Sequence, residues 1–438
     1  MKKLQLMSRA VAAVALAGAV AAGSASPALA AAHRGFELVG PPDGLGYSVQ
    51  GFAAQPDGEG LYWRGIAGEQ TDDPAPADGA QGDIFLARRS AEGWASTWLT
   101  PDPAGLPAPR DAAEGLPGMR ADGFVFFNQG AFVDPGGAGA AALYLGDGSA
   151  PSRLLSAVPG TPEQAGLDPF EWATSEDLSS TVFATTAPLD PDDTDSSADL
   201  YARRGDTLSL VTRQTSGAPD NTATDPFLPL AGSGSKDGTF GDTSLNSNSL
   251  SRNGFPVSQG GSPVSPDGRS VVFSTTASLD PGDTDTAADL YLWREGQGVS
   301  LISDDERGAP GCPAVPASTT DCTDPTAEVS FVGMSEDASI IYLRTREGLV
   351  DGDTDDGNDI YQYRINEPAG SRLTRATGSG ASDTVWPVSV SAGGQLFFAA
   401  TDRVGIDPPP GIGAVLYRWD GAAIVTVSAL TDADIFTG

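Results

Sequence analysis

Residues 175–201 read SEDLSSTVFATTAPLDPDDTDSSADLY, and residues 265–291 read SPDGRSVVFSTTASLDPGDTDTAADLY. One unit is written twice, 90 residues apart, with an acidic cluster at the same place in each copy. Anchoring on the Ser before the turn and the Tyr after the cluster gives further copies at the same 26-residue spacing, Ser335 to Tyr361 and Ser391 to Tyr417. Two looser copies come earlier: RADGFVFFNQ runs on to Ala142-Leu143-Tyr144, and QPDGEGLYWRG to Asp83-Ile84-Phe85. Repetition at a fixed period marks an architecture in which one unit cannot bury its apolar faces without the next.

Each unit carries four strand signals. In the fourth, SPVS leads into a Pro266-Asp267-Gly268-Arg269 turn, then SVVFST, a polar loop, DLYLW, a Gly-rich turn and VSLIS. Val271-Val272-Phe273, Thr181-Val182-Phe183 and Leu396-Phe397-Phe398 are β-branched or aromatic and are bounded by Asp-Gly or Gly-Gly turns. No helical period is sustained beyond the N-terminal leader. The pattern predicts an all-β chain folded as a β-propeller of six four-stranded blades over residues 31–438. One or two β-sandwiches are the alternative, and the constant internal spacing weighs against them. Seven blades follow if residues 213–262 hide a degenerate unit. That stretch, with GSGSKDGTFGDTSLNSNSLSRNG, reads instead as a mobile low-complexity insertion. FELV at 36–39 and IVTVS at 424–428 are expected to share the last sheet and close the ring.

The first thirty residues read as a signal peptide. Lys2, Lys3 and Arg9 precede the apolar run AVAAVALAGAVAAG, and Ala28-Leu29-Ala30 is a small-x-small cleavage site. An uncleaved anchor is the alternative; the run is short and rich in Ala and Gly for a span. The expected product is secreted, soluble and monomeric, without membrane insertion. The chain carries a formal charge of −33, and losing the leader makes it more negative still. Such a field opposes nucleic acid and anionic membranes and favours cations, basic surfaces or neutral glycans. Cys312 and Cys322, in GCPAVPASTTDC, are expected to close a loop as a disulfide in an exported protein.

The run S-P-D-G, an apolar strand, D-[LI]-Y and a closing L-[VI]-[ST] resembles the repeats of TolB-type (WD40-like) propellers. The L-x-x-G-D-T-D loop variant is similar to that of exported propeller proteins common in actinobacteria. The resemblance covers the chain from about residue 35 onward and implies the propeller fold. The resemblance does not extend to the additional N-terminal domain of TolB, so a role in the Tol–Pal system is not expected to come with it. Related propellers also form the non-catalytic half of prolyl oligopeptidases, and no hydrolase domain is expected after the sixth unit.

The acidic clusters suggest a hard cation. In DGDTDDGND, Asp351, Asp353, Asp355 and Asp359 occupy relative positions 1, 3, 5 and 9. The fourth unit offers Asp283, Asp285 and Asp289, with Asp280 upstream; the third offers Asp193, Asp195 and Asp199, with Asp190 upstream. Alternate carboxylates in a tight loop point inward and repel one another until protonated or given a cation. Calcium, which takes about six to eight oxygens in flexible geometry, suits such a loop better than magnesium. The 1-3-5-9 spacing is similar to the calcium loops of integrin-type propeller repeats, although Asp356 stands where that pattern has Gly. The competing reading is of solvated turns in which Asp serves local geometry and solubility. The fifth unit carries the fuller pattern.

Enzymatic signals are sparse. His33 is the only histidine and lies beside the expected new N-terminus, so a Ser-His-Asp or Cys-His site lacks its imidazole and a zinc site its ligands. The expectation is a non-enzymatic interaction module of the cell envelope, binding an envelope protein or glycan. A propeller enzyme, glycan hydrolase or lyase, using loop carboxylates is the alternative. Of Trp63, Trp94, Trp98, Trp172, Trp293, Trp386 and Trp419, those within strand signals are expected in the core, unless several line one mouth of the ring as sugar platforms. Arg203, Arg204, Arg294 and Arg364 recur after D-[LI]-Y and either pair with aspartates or grip an anion.

Overall fold

The structure is a computed structural model describing residues 48–54, 60–66, 81–90, 93–98, 119–120, 123–129, 141–146, 153–158, 169, 171–218, 234–235, 262–283, 288–303, 329–345, 348–350, 353, 358–377, 385–400 and 412–431. The leader, His33, FELV at 36–39, both cysteines and most of 213–262 lie outside them. Every regular element among the described residues is a β-strand.

Among the described residues the strands fall into six antiparallel sheets, ordered along the chain apart from one edge strand added to the third. The third joins Glu171–Thr174, Ser180–Thr185, Asp199–Arg204 and Thr207–Leu210. The fifth joins Ser330–Met334, Ile340–Thr345, Asp359–Arg364 and Leu373–Arg375. The sixth joins Val385–Val390, Leu396–Ala400, Ile412–Trp419 and Ile424–Thr431. The register repeats: Phe183 faces Tyr201, Phe273 faces Tyr291 and Leu343 faces Tyr361. Where both partners are aromatic the rings stack, at centroid distances of 6.0 Å for Phe183–Tyr201 and 5.7 Å for Phe273–Tyr291.

These strands are buried on both faces, as a blade between two others must be. All six residues of Ser180–Thr185 and of Ser270–Thr275 are buried. The apolar clusters lie between consecutive sheets. Val125 and Leu143 of the second sheet pack with Trp172, Phe183 and Tyr201 of the third. Ala173, Val182 and Ala202 of the third meet Val271, Phe273 and Tyr291 of the fourth. Val272, Leu290 and Leu292 of the fourth meet Ile341, Leu343 and Tyr361 of the fifth, and Tyr342 and Ile360 of the fifth meet Phe398 and Tyr417 of the sixth. Sheet after sheet stacked face to face in chain order is a β-propeller arrangement.

Two details depart from the expected plan. The fourth sheet has three strands, Ser270–Thr275, Asp289–Arg294 and Gly298–Leu301, and its inner strand is reduced to a Val264–Val271 bridge. Pro263 and Pro266 flank that bridge and bring no N–H to a ladder. From the insertion, Gly234–Ser235 pairs with Trp172 and Glu171 as a fifth strand on the inner edge of the third sheet. IVTVS lies in the outer strand of the sixth sheet, as expected, and its expected partner FELV lies outside the described residues.

The turn before each second strand is also a repeat. Ser175, Ser265 and Ser335 donate to Asp177, Asp267 and Asp337 at 2.7 Å and accept the N–H five residues on, at 2.9–3.0 Å. The residue after that Asp is left-handed: Leu178 (φ 54°), Gly268 (φ 70°) and Ala338 (φ 53°). Gly268 sits against the preceding blade, where an added Cβ would lie 2.3 Å from Ser180 Cβ.

Candidate metal centre

In the third sheet the ladder between second and third strands ends at Thr185–Asp199, and the acidic loop hangs from it. Leu189 and Ala198 anchor the loop by burial. Asp190 folds its tip: its carbonyl accepts the Asp193 N–H at 3.0 Å and its carboxylate the Asp192 N–H at 2.9 Å. The turn carries the Asp193 side chain inward, leaving the residue 6% exposed.

Tyr201 holds Asp193 there. Its hydroxyl accepts the Leu189 N–H at 3.1 Å and donates to Asp193 Oδ2. Burial raises the Tyr201 pKa, and the bond to Asp193 adds to it, so the phenol keeps its proton. Asp199 Oδ1 accepts from the Thr212 hydroxyl, which in turn accepts the Leu200 N–H at 3.3 Å. Asp195 Oδ1 accepts from Ser197, at 2.6 Å from the amide and 2.5 Å from the hydroxyl. Asp193 Oδ1 and Asp195 Oδ2 are buried and have no hydrogen-bond partner. One carboxylate oxygen from each of Asp193, Asp195 and Asp199 lies within 4.8 Å of the others. Arg213 pairs with Asp190 (3.5 Å) and Asp192 (3.0 Å) on the rim. The trio has the chemistry of a hard divalent cation site: acceptor-only oxygens, close together and shielded from water.

The same frame recurs. In the fourth sheet Tyr291 donates to Asp283 Oδ2 at 2.6 Å and accepts the Leu279 N–H at 3.2 Å, while Ser303 donates to Asp289 at 2.5 Å. In the fifth, Tyr361 donates to Asp353, Thr377 donates to Asp359, and the Leu349 N–H reaches Tyr361 at 3.3 Å. Asp285, Asp351 and Asp355 lie outside the described residues. The fifth frame differs in one respect. Arg375 Nη1 lies 2.7 Å from Asp353 Oδ1 and 3.4 Å from Asp359 Oδ2, with a side chain only 9% exposed. Two residues before the hydroxyl donor, where the fifth unit has Arg375, the third and fourth have Leu210 and Leu301.

Sequence reasoning picked out the carboxylates but missed their holders. The Tyr of D-[LI]-Y and the closing Ser or Thr of L-[VI]-[ST] were visible as motif letters, and the Leu-to-Arg change at 375 as a departure from it. Six of the other candidates are structural. Trp172, Trp293 and Trp419 are buried. Arg203 donates to the Gly205 and Ala157 carbonyls at 2.6 and 2.7 Å, Arg204 pairs with Glu295 at 2.7 Å, and Arg364 donates to Gln362 and to the Gly421 carbonyl. These three arginines pin chain segments together.

No protein-family description matches the sequence, and no curated protein is similar to it. Among solved structures, it is similar to the β-propeller domain of the Trilobed protease from Pyrococcus furiosus, described as having an open velcro topology. The identity is 9%, the TM-score 0.39, and the match covers 87% of this chain and 85% of that one. A prolyl endopeptidase gives 11% identity and a TM-score of 0.41, covering 90% of this chain and 45% of that one. Prolyl oligopeptidase B from Galerina marginata gives 10% and 0.41, covering 89% and 43%. The match thus takes in less than half the length of both prolyl peptidases. The expectation of a non-enzymatic envelope module is corrected here. The propellers this chain is similar to belong to peptidases. At this identity the likeness concerns the fold alone, and no peptidase activity is carried over.

Proposed function

We propose that the chain is an exported, six-bladed β-propeller that binds calcium at the third blade through Asp193, Asp195 and Asp199. The observation that carries this reading is the buried Asp193 Oδ1, which has no hydrogen-bond partner and stands beside two further carboxylates. Burying an ionised oxygen without a partner is costly, and a divalent cation removes that cost. Tyr201 and Thr212 each occupy one oxygen of a carboxylate and orient the other toward the shared space. A leader that sends the chain to a calcium-rich exterior suits a site whose affinity is on the order of 10⁻⁴–10⁻³ M, as in extracellular modules. The bound ion would stiffen the loop that carries the three carboxylates.

Thermal unfolding in excess calcium against chelator tests the proposal. At about one hundred times the dissociation constant, one site adds roughly 2.7 kcal/mol. The gain is expected to vanish in Asp193→Asn, and coincident melts of the unaltered protein would refute the site.

A glycan-cleaving enzyme is the second reading, favoured by the closeness of the same carboxylates. Retaining glycosidases hold theirs about 5 Å apart. It predicts release of reducing ends from neutral polysaccharide, lost in Asp195→Asn and retained in chelator.

A further inference from the structure

The fifth hairpin has the same Tyr–Asp and Thr–Asp frame as the third, yet it already holds a positive charge. Asp353 and Asp359 have side chains 2% and 1% exposed, and Arg375 reaches both. Resting on the reading of the third hairpin as a cation site, we infer that Arg375 is the fifth blade's built-in cation. Its guanidinium stands in for the metal, and the choice of Arg or Leu at this one position decides which blades take up a divalent ion.

Three observations lead there. First, the frames are equivalent: Tyr361 and Tyr201 fix one oxygen of Asp353 and Asp193, and Thr377 and Thr212 fix one oxygen of Asp359 and Asp199. Second, the oxygen left over differs in its surroundings. Neither Asp193 Oδ1 nor Asp353 Oδ1 accepts a hydrogen bond, but Asp353 Oδ1 has the Arg375 guanidinium as an ion-pair partner, with Nη1 2.7 Å away. Third, Leu210 and Leu301 fill Arg375's place in the third and fourth units and supply no charge. The two solutions exclude one another. A guanidinium 2.7 Å from Asp353 Oδ1 takes the space beside that oxygen that a metal needs, and its charge repels a dication. Being tethered, it also spares the fifth blade the entropy of capturing a free ion. Arg213, which reaches the third hairpin, pairs with Asp190 and Asp192 at the rim and leaves Asp193 Oδ1 without a hydrogen bond.

Calorimetric titration of calcium into the full chain, read as ions bound per chain, tests the inference. Arg375→Leu is expected to add one site to the wild-type count, and Asp353→Asn in that background to remove it. Leu210→Arg is expected to abolish uptake at the third hairpin. A folded Arg375→Leu protein with the wild-type count overturns the inference while leaving the third-blade reading standing. Calcium uptake by Arg375→Leu but not by wild type does the reverse. Should Arg375→Leu unfold in chelator, refolding on addition of calcium supports the inference. If it stays unfolded at every calcium concentration, Leu210→Arg decides, and unchanged uptake by that variant overturns it.

Discussion

At the scale of single residues, the turn before each second strand shows how one backbone requirement is met with different side chains. The position after the turn Asp is left-handed in all three central units, but only the fourth supplies Gly. Leu178 and Ala338 hold a conformation that costs an L-residue about 1–2 kcal/mol. Ala338→Gly is therefore expected to raise stability by up to about 1 kcal/mol, since Ala338 contributes only a methyl group to the core. Gly268→Ala runs the other way, because the added Cβ meets Ser180 Cβ at 2.3 Å as well as the unfavourable φ. Denaturant titration of the two variants should move in opposite directions. The Tyr hydroxyls are a second economy: each satisfies a loop N–H and a buried carboxylate at once.

The element scale concerns hairpins and turns as units. The Ser335–Asp337 turn caps its strand through a carboxylate held below its ordinary pKa, first by the Ser335 hydroxyl and then by Ser339. A carboxyl whose pKa falls on folding stabilises above its unfolded value, and that contribution is lost as pH drops through the folded value. Ser335→Ala removes the largest cause, so the Asp337 titration should move up toward the normal range. Carboxyl-carbon NMR titration would register the change, and acid melts should show a smaller loss from this turn. The hairpins above the third and fifth sheets differ at the position of Leu210 and Arg375, which sits on a neighbouring strand and not in the acidic loop. The chemistry of a loop is thus set partly by the strand beneath it.

For the whole molecule, stability depends on sheets covering sheets. Leu292 is fully buried and packs between the fourth and fifth sheets. Leu292→Ala should cost about 2–5 kcal/mol, the range for a cavity that cannot collapse. Because the third, fourth and fifth sheets are each covered on both sides by their neighbours, that loss should appear as a lower midpoint of one cooperative transition observed by both near- and far-ultraviolet circular dichroism. Separate melting of one blade would contradict the stacking described here. Cross-links between blades reinforce it, as where Arg204 of the third sheet meets Glu295 of the fourth at 2.7 Å.

The sequence by itself determined the all-β class, the repeat and its phase. A 26-residue Ser-to-Tyr spacing and strands bounded by Asp-Gly turns are local signals, and local backbone preference is written in local residues. It also marked the acidic loops, because Asp at alternate positions is visible without any fold. Only the tertiary structure decided what those carboxylates face. Tyr201 lies eight residues beyond Asp193, Thr212 lies thirteen beyond Asp199, and Arg375 twenty-two beyond Asp353. Each distance is spanned by a strand that folds back on the last, and spacing within a motif carries no record of which side chains that return brings together. The reduced inner strand of the fourth sheet and the extra strand Gly234–Ser235 on the third belong to the same class of fact. Charge is summed along a chain, but a site's charge is balanced in space, and Arg375 is where the two accounts differ.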